Sequence, residues 1–194
     1  MGMTKALQER IFSEANMDCP RTRFICVRYG NVIASRGSVV PLFLDQIARG
    51  GPVTVTLKEM TRFLLSLDGA VDTVFAAIRS ALPGETYVPH APAARVLDVA
   101  EVLIDGREIP ITFTGIRPGE KIHEIMVSEE ECYRTIERGP YYVIGPMLPE
   151  LQQTPISQPA LTEEYSSSRV TLDHTGLRAL LLPYLHGEVN GADA

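Results

Sequence analysis

Cysteine is scarce in this chain. Three residues in 194, Cys19, Cys26 and Cys132, include no C-x-x-C pair. An odd number at that spacing makes neither a disulfide framework nor a zinc knuckle. The histidines, His90, His123, His174 and His186, are scattered and share no helix face with a cysteine. No metal site is expected, and the thiols are expected to be reduced, as in a cytoplasmic protein. Basic charge is also short: 18 Lys and Arg stand against 24 Asp and Glu, a formal net charge of −6. That balance argues against a dedicated nucleic-acid binder, while leaving room for a local cationic pocket. No apolar run approaches the roughly 20 residues that cross a bilayer, and the start carries no charged-then-apolar leader. Neither G-x-G-x-x-G nor a P-loop occurs, which excludes a complete dinucleotide or triphosphate cradle within these residues.

What is present is the composition of a soluble globular protein, 45% hydrophobic and 22% charged, with length for one domain or one domain and a tail. Met3, Leu7, Ile11 and Phe12 form a helix stripe in "MTKALQERIFSEAN". "RFICVRYGNV" predicts a strand, apolar enough at its start to be covered on both faces. "VVPLFLDQIARGG" predicts a helix opened by Pro41 and closed by Gly50-Gly51. "DGAVDTVFAAIRSAL" predicts another, capped by Asp68, and "RVLDVAEVLID" a third. "PVTVT", "ETYVPHA", "IPITFTG" and "YYVIGP" predict strands, and "GEKIHEIMVSEEECYRTIE" holds a helical segment. Residues 148–168 are rich in proline and polar residues and predict an arm with little core. "TLDHTGLRALLLPYL" predicts a closing helix capped by Thr171 or Asp173. Alternating strands and helices give an α/β fold.

The stretch "RYGNVIASRGSVVPLF", Arg28 to Phe43, sits just past a strand end, where open α/β sheets bind ligands. Asn31 and backbone N–H groups can donate to phosphate oxygens, Gly30 and Gly37 allow close approach, and Arg28 and Arg36 offer planar forks. The same residues would also serve an ordinary strand-to-helix turn with two surface arginines. Two further cationic clusters, Lys58 with Arg62 and Arg117 with Lys121 around a Pro-Gly turn, tip the balance towards one anionic ligand. A nucleotide diphosphate fits, with Glu120 accepting from ribose hydroxyls.

Taken in order, "RYGNVIASRGSVVPLF", "GGPVTVT", "EMTRFLLSLDGAVD" and "GIRPGEKIHEIMVSEEE" resemble the extended short-chain dehydrogenase/reductases of nucleotide-sugar metabolism. The branch most similar is that of the UDP-N-acetylglucosamine 4,6-dehydratases of capsule, O-antigen and protein-glycan biosynthesis. "SSSRVTLDHTGLRALL" is similar to the tail of inverting members, which also epimerise carbon 5. The resemblance implies the C-terminal part of an NAD(P)-binding Rossmann-type fold with a small nucleotide-sugar-binding lobe. Residues 1–32 would be the last helix and strand of the Rossmann domain. Residues 33–147 would be the substrate lobe, with segments returning to the Rossmann side. Residues 148–194 would be the proline-rich arm and final helix. "MGMTK" places Met1 and Lys5 on the family's catalytic Y-x-x-x-K pair, which this branch often carries as M-x-x-x-K. Lys5, Tyr29 and Asn31 would face the cofactor, NADP or NAD in the intact enzyme. Asn31, Arg36, Ser38, Val53, Thr54, Val55, Arg62, Arg117 and Glu120 would line the substrate, a UDP-sugar.

The family's glycine-rich pyrophosphate turn and its T-D-K segment precede this motif and have no counterpart here. The chain alone is therefore expected to be an incomplete dehydratase, with apolar surface exposed along residues 3–15 and 24–29. The intact protein is expected to be a cytoplasmic homo-oligomer, without nucleic-acid or membrane partners. A UDP-sugar-binding module without redox chemistry, a split-enzyme half that docks on a separate N-terminal half, and a UDP-sugar 4-epimerase are the alternatives.

Overall fold

The computed structural model describes residues 2–35, 37–152 and 156–185. In chain order the elements are α1 (Gly2–Asp18), β1 (Cys26–Val27), β2 (Asn31–Val32), α2 (Val39–Ala48), β3 (Val53–Val55), β4 (Thr61–Leu65), α3 (Leu67–Ser80), β5 (Thr86–Pro89), β6 (Ala93–Arg95), α4 (Val96–Ile104), β7 (Ile111–Phe113), β8 (Ile125–Val127), α5 (Glu129–Cys132), β9 (Thr135–Arg138), β10 (Tyr141–Ile144), β11 (Tyr165–Ser166) and α6 (His174–Leu185). They assemble into two units, each built from three separate stretches of chain. The expected α/β class is what the molecule has.

Unit 1 takes residues 1–29, 68–90 and 125–165. Its sheet runs β1-β5-β10-β9; β1 is parallel to β5, and the other pairs are antiparallel. Tyr87, Val143, Ala77 and Ala81 form the core between sheet and α3. The first helix is clasped to the segment before β1 by Asn16. Its Nδ2 donates to the Phe24 carbonyl (3.0 Å), its Oδ1 accepts from the Phe24 N–H (2.9 Å), and the Phe12 and Phe24 rings stack. Helix α3 begins at Leu67, so Asp68 lies in its first turn rather than at its cap. There its carboxylate complements the positive end of the helix dipole.

The expected apolar exposure is plain on α1, where Met3, Leu7 and Ile11 are 87%, 59% and 56% exposed. Val71, Phe75 and Ile78 on α3 are exposed as well. Residues 24–28 are half-buried and Tyr29 is exposed, short of the two-sided cover that the apolar run predicts. Among the described residues β1 pairs with β5 on one side and with no strand on the other.

Unit 2 takes residues 30–67, 91–124 and 166–194. Strands β2 and β4 run parallel, β4 and β6 antiparallel, and β3 and β7 parallel as a separate pair. Its core joins α2, α4 and α6 through Phe43, Ile47, Val99, Leu103, Leu177 and Leu181, with Val53, Val55 and Leu64 from the strands. Helix α6 is capped by Asp173, whose Oδ1 accepts from the Gly176 N–H at 2.8 Å; this settles the choice between Thr171 and Asp173. The single strand expected over 23–32 is broken at Tyr29–Gly30, where the chain passes from one unit to the other. The helical segment expected after Gly119 shrinks to α5, opened by a Ser128/Glu131 capping box and flanked by β8 and β9. The arm expected to lack a core ends in Tyr165, Ser166 and Ser167, all buried.

Candidate functional site

Unit 2 gathers several of the sequence-predicted residues into one polar network. Strand β2 carries Asn31, in register with Leu64 of β4, and the loop after β7 carries Arg117 and Glu120. Assigned from its surroundings, the Asn31 amide points Nδ2 at both Glu124 oxygens, 3.2 Å each. Glu124 lies 3.7 Å from Arg62 Nε, and Glu120 lies 3.8 Å from Arg62 Nη2. Glu120 Oε2 accepts from the Arg117 N–H at 3.2 Å, while the Glu120 N–H donates to the Arg117 carbonyl at 3.0 Å. The Pro118-Gly119 turn is thereby closed from both sides, and Gly119 adopts φ +80° there.

Arg62 is mostly buried and is held by backbone as much as by charge. Its Nη1 donates to the Thr61 and Ile122 carbonyls (2.7 and 3.1 Å), and its Nη2 donates to the Lys121 carbonyl (2.9 Å). The guanidinium thus fixes the 120–124 loop against β4. Burial pushes the Glu124 carboxyl above its ordinary range, and Arg62 opposes that rise. Arg117 differs: its guanidinium is exposed and has no carboxylate within ion-pair distance among the described residues.

Ser38 stands at the N-cap of α2, and its buried Oγ has no hydrogen-bond partner among the described residues. An unpaired hydroxyl beside the free N–H groups of a helix start is suited to an anion. Val53 and Val55 are buried in the unit 2 core. Only Thr54 between them turns outwards, and Gln46 bonds both its N–H (3.0 Å) and its Oγ1 (2.7 Å). Met1 and Arg36 lie outside the described residues.

Lys5 and Tyr29 belong to unit 1, both exposed. Arg28, offered by the sequence as a phosphate fork, is spent on structure. Its Nε and Nη2 donate to Glu9, and its Nη1 and Nη2 donate to Glu131, with the Met126 carbonyl as a further acceptor. Burial raises the Glu131 carboxyl, but hydrogen bonds and charge from Arg28 outweigh it and hold the group below its ordinary value. Unit 1 also holds a cavity of about 260 Å3 walled by Leu82, Ile136, Val143 and Leu151; none of the sequence-predicted residues lines it.

Glu124 is the member of the network that sequence reasoning missed. Its one local signal is a glutamate three residues beyond Lys121, and its partners Asn31 and Arg62 come from strands distant in sequence.

Residues 1–146 match the family described as Polysaccharide biosynthesis protein. The chain belongs to that family. Two curated relatives are similar to it in sequence. One, from Methanocaldococcus jannaschii and named "Uncharacterized membrane protein MJ1061", is 41% identical over 157 residues, 75% of this chain and 47% of the relative. The other, a UDP-glucose 4-epimerase of Rickettsia prowazekii, is 38% identical over 204 residues, covering 99% of this chain and 60% of the relative. Among solved structures, Pen from Bacillus thuringiensis superposes with a TM-score of 0.83 at 32% identity, over 93% of this chain and 56% of Pen. The chain therefore spans about half to three-fifths of the proteins it matches. Among the described residues no helix is long and apolar enough to cross a membrane.

Proposed function

We infer that this chain carries the nucleotide-sugar-binding part of a UDP-sugar 4,6-dehydratase, with UDP-N-acetylglucosamine as substrate and polysaccharide biosynthesis as its setting. The observation that carries this is the unit 2 network. Asn31, Glu124, Arg62, Glu120 and the Arg117 turn are linked in one chain of contacts, with the Arg117 guanidinium left free beside it. Such an arrangement suits a diphosphate: Arg117 supplies a planar fork, and Arg62 and the carboxylates hold the loop that presents it. The unpaired Ser38 hydroxyl at the start of α2 offers a further donor.

A nicotinamide cofactor fits these residues only in part. Lys5, exposed on α1, could meet a ribose, and Tyr29 lies at the end of β1. No glycine-rich turn in the sequence holds a pyrophosphate. The hydride chemistry would be supplied by NADP or NAD bound in the whole enzyme.

A 4-epimerase is the second reading, favoured by the match of 99% of the chain to the Rickettsia prowazekii UDP-glucose 4-epimerase. Calorimetric titration of the purified chain with UDP-N-acetylglucosamine, UDP-glucose and NADP tests the proposal. UDP-sugar binding without NADP binding is the expected result, with UDP-N-acetylglucosamine the tighter sugar under the dehydratase reading. Arg117→Ala should weaken binding by about 1–3 kcal/mol, the range for a hydrogen bond to a charged group. Unchanged affinity removes Arg117 from the site, and no UDP-sugar binding by the parent chain overturns the proposal.

A further inference from the structure

Thr61 and Arg62 are consecutive on β4, so their side chains leave opposite faces of the strand. The Arg62 face carries the network described above. The Thr61 face opens on a separate cavity of about 350 Å3, lined also by Lys58, Glu59, Arg95, His123, Ser168 and Thr171. All of these residues belong to unit 2. We propose that this cavity is a second ligand site, built to bind a small oxyanion, a phosphate or a carboxylate, through the Nε2–H of His123 with Lys58 and Arg95.

The argument begins with protons. The Glu124 N–H donates to Ser167 Oγ at 2.9 Å, Ser167 Oγ lies 2.6 Å from Thr61 Oγ1, and Thr61 Oγ1 lies 2.8 Å from His123 Nδ1. Ser167 and Thr61 are buried, at 0% and 3% exposure, so each hydroxyl proton needs a protein acceptor. Ser167 already accepts from Glu124, and among the described residues the acceptor within its reach is Thr61 Oγ1. The Thr61 proton then goes to His123 Nδ1. That direction leaves Nδ1 unprotonated and puts the proton of the neutral ring on Nε2. Reversing the chain would strand the Ser167 proton in a buried site.

The second part of the argument concerns donors that lack acceptors. His123 Nε2 has no partner among the described residues. The Lys58 ammonium lies 5.3 Å from the Phe113 ring centre and pairs with no carboxylate among them. Arg95 spends Nε and Nη2 on Asp98, at 2.8 and 2.7 Å, and keeps Nη1. Glu59 is the carboxylate on the rim, and Asp98 offsets Arg95, so the cavity holds an anion by directed donors more than by net charge. A phosphate or carboxylate satisfies several such donors at once. This site does not depend on the nucleotide-sugar reading.

The test is nuclear magnetic resonance of the whole chain, with long-range nitrogen–proton spectra of the imidazoles during titrations with inorganic phosphate, acetate and UDP. The parent should show His123 as the Nε2–H tautomer, with saturable shifts on adding phosphate or acetate and none on adding UDP. Lys58→Met should weaken phosphate binding about tenfold or more, as loss of a charge-assisted hydrogen bond requires. Ser167→Ala should let the Nδ1–H tautomer appear. Because Lys58 is exposed, its variant will fold even if the serine variant does not. An Nδ1–H tautomer in the parent, a response that does not saturate, or a response unchanged in Lys58→Met overturns the proposal. Displacement of phosphate by UDP overturns it too, by making the cavity part of the nucleotide site.

Discussion

Replacing Gly30 with alanine probes the seam on which the candidate site is built. Gly30 lies immediately before Asn31 and opposite Phe63 of β4. A Cβ added there falls well inside van der Waals contact of Phe63 Cβ, and sits 3.1 Å from the Phe63 carbonyl oxygen and 3.3 Å from its carbon. None of these atoms is the end of a flexible side chain, so no rotamer change relieves the overlap, and β2 must move away from β4. Overpacking of this kind costs about 1–3 kcal/mol. The loss of chain entropy in the unfolded state returns about 0.4–1 kcal/mol, and the backbone character of the clash favours a net cost near 2 kcal/mol. In a chain of this length each kcal/mol lowers Tm by about 2–4 °C, so a fall of about 4–8 °C is expected in thermal unfolding followed by circular dichroism. Displacing β2 also draws the Asn31 amide away from Glu124, so UDP-sugar affinity should fall with stability. Gly106→Ala makes the contrast, because its Cβ meets nothing within 4 Å and its cost is the strain of φ +74° alone. That strain is worth about 1 kcal/mol. A Tm for Gly30→Ala within about 1 °C of the parent would refute the close packing of β2 on β4.

Three further expectations concern stability. Glu131 is held below its ordinary value in the folded chain, so its stabilisation is complete above the unfolded glutamate value and is lost as pH falls through the folded one. Melting temperatures measured from pH 6 down to pH 3 should fall, and Glu131→Gln should flatten that dependence; an unchanged slope would mean the Arg28 pair contributes nothing. Leu103→Ala, at a site with 0% exposure, should cost about 2–5 kcal/mol in urea unfolding. Leu7→Gln on the open face of α1 should leave that midpoint within about 0.5 kcal/mol while reducing binding of a hydrophobic dye, and undiminished dye binding would show that the apolar surface of α1 is not free.

The helices were legible because each obeys its own period. α2 and α4 carry continuous apolar faces between clear stop signals, and both appear where the pattern puts them. The strands were harder. Five, β4, β6, β8, β9 and β11, went unread for physical reasons that differ. In β4, "TRFLL" contains Arg62 and follows Lys58 by three residues, so it reads as a charged cluster, although Thr61, Phe63, Leu64 and Leu65 are buried. In β9, "TIER" closes a segment expected to hold a helix, and the helix that forms there, α5, starts at a capping box and runs only over Glu129–Cys132. The two-residue β11 has no pattern to display. The break at Gly30 was invisible for another reason: an apolar run gives no sign of which unit will bury each half.

The site shows the same limit in a sharper form, because its arginines look alike in the sequence and have different fates. Arg28 was offered with Arg36 as a phosphate fork by position, yet it lies between Glu9 and Glu131, 19 and 103 residues away along the chain. Two carboxylates in a half-buried setting saturate its donors, and extracting it for a ligand would strip Glu9 of this partner and leave Glu131 with Arg134 alone, a loss of several kcal/mol. Arg62 sits on a strand, and the fold brings three backbone carbonyls to its guanidinium. It can orient a loop, but few of its donors are left for a ligand. Arg117 has the least to lose. Its own N–H and carbonyl tie it to Glu120 while the guanidinium stays in solvent. Burial and competing acceptors, both long-range properties, therefore decide which cation is available to a diphosphate. By that criterion it is the arginine on the glycine turn, rather than the one at the end of β1, that should carry the ligand.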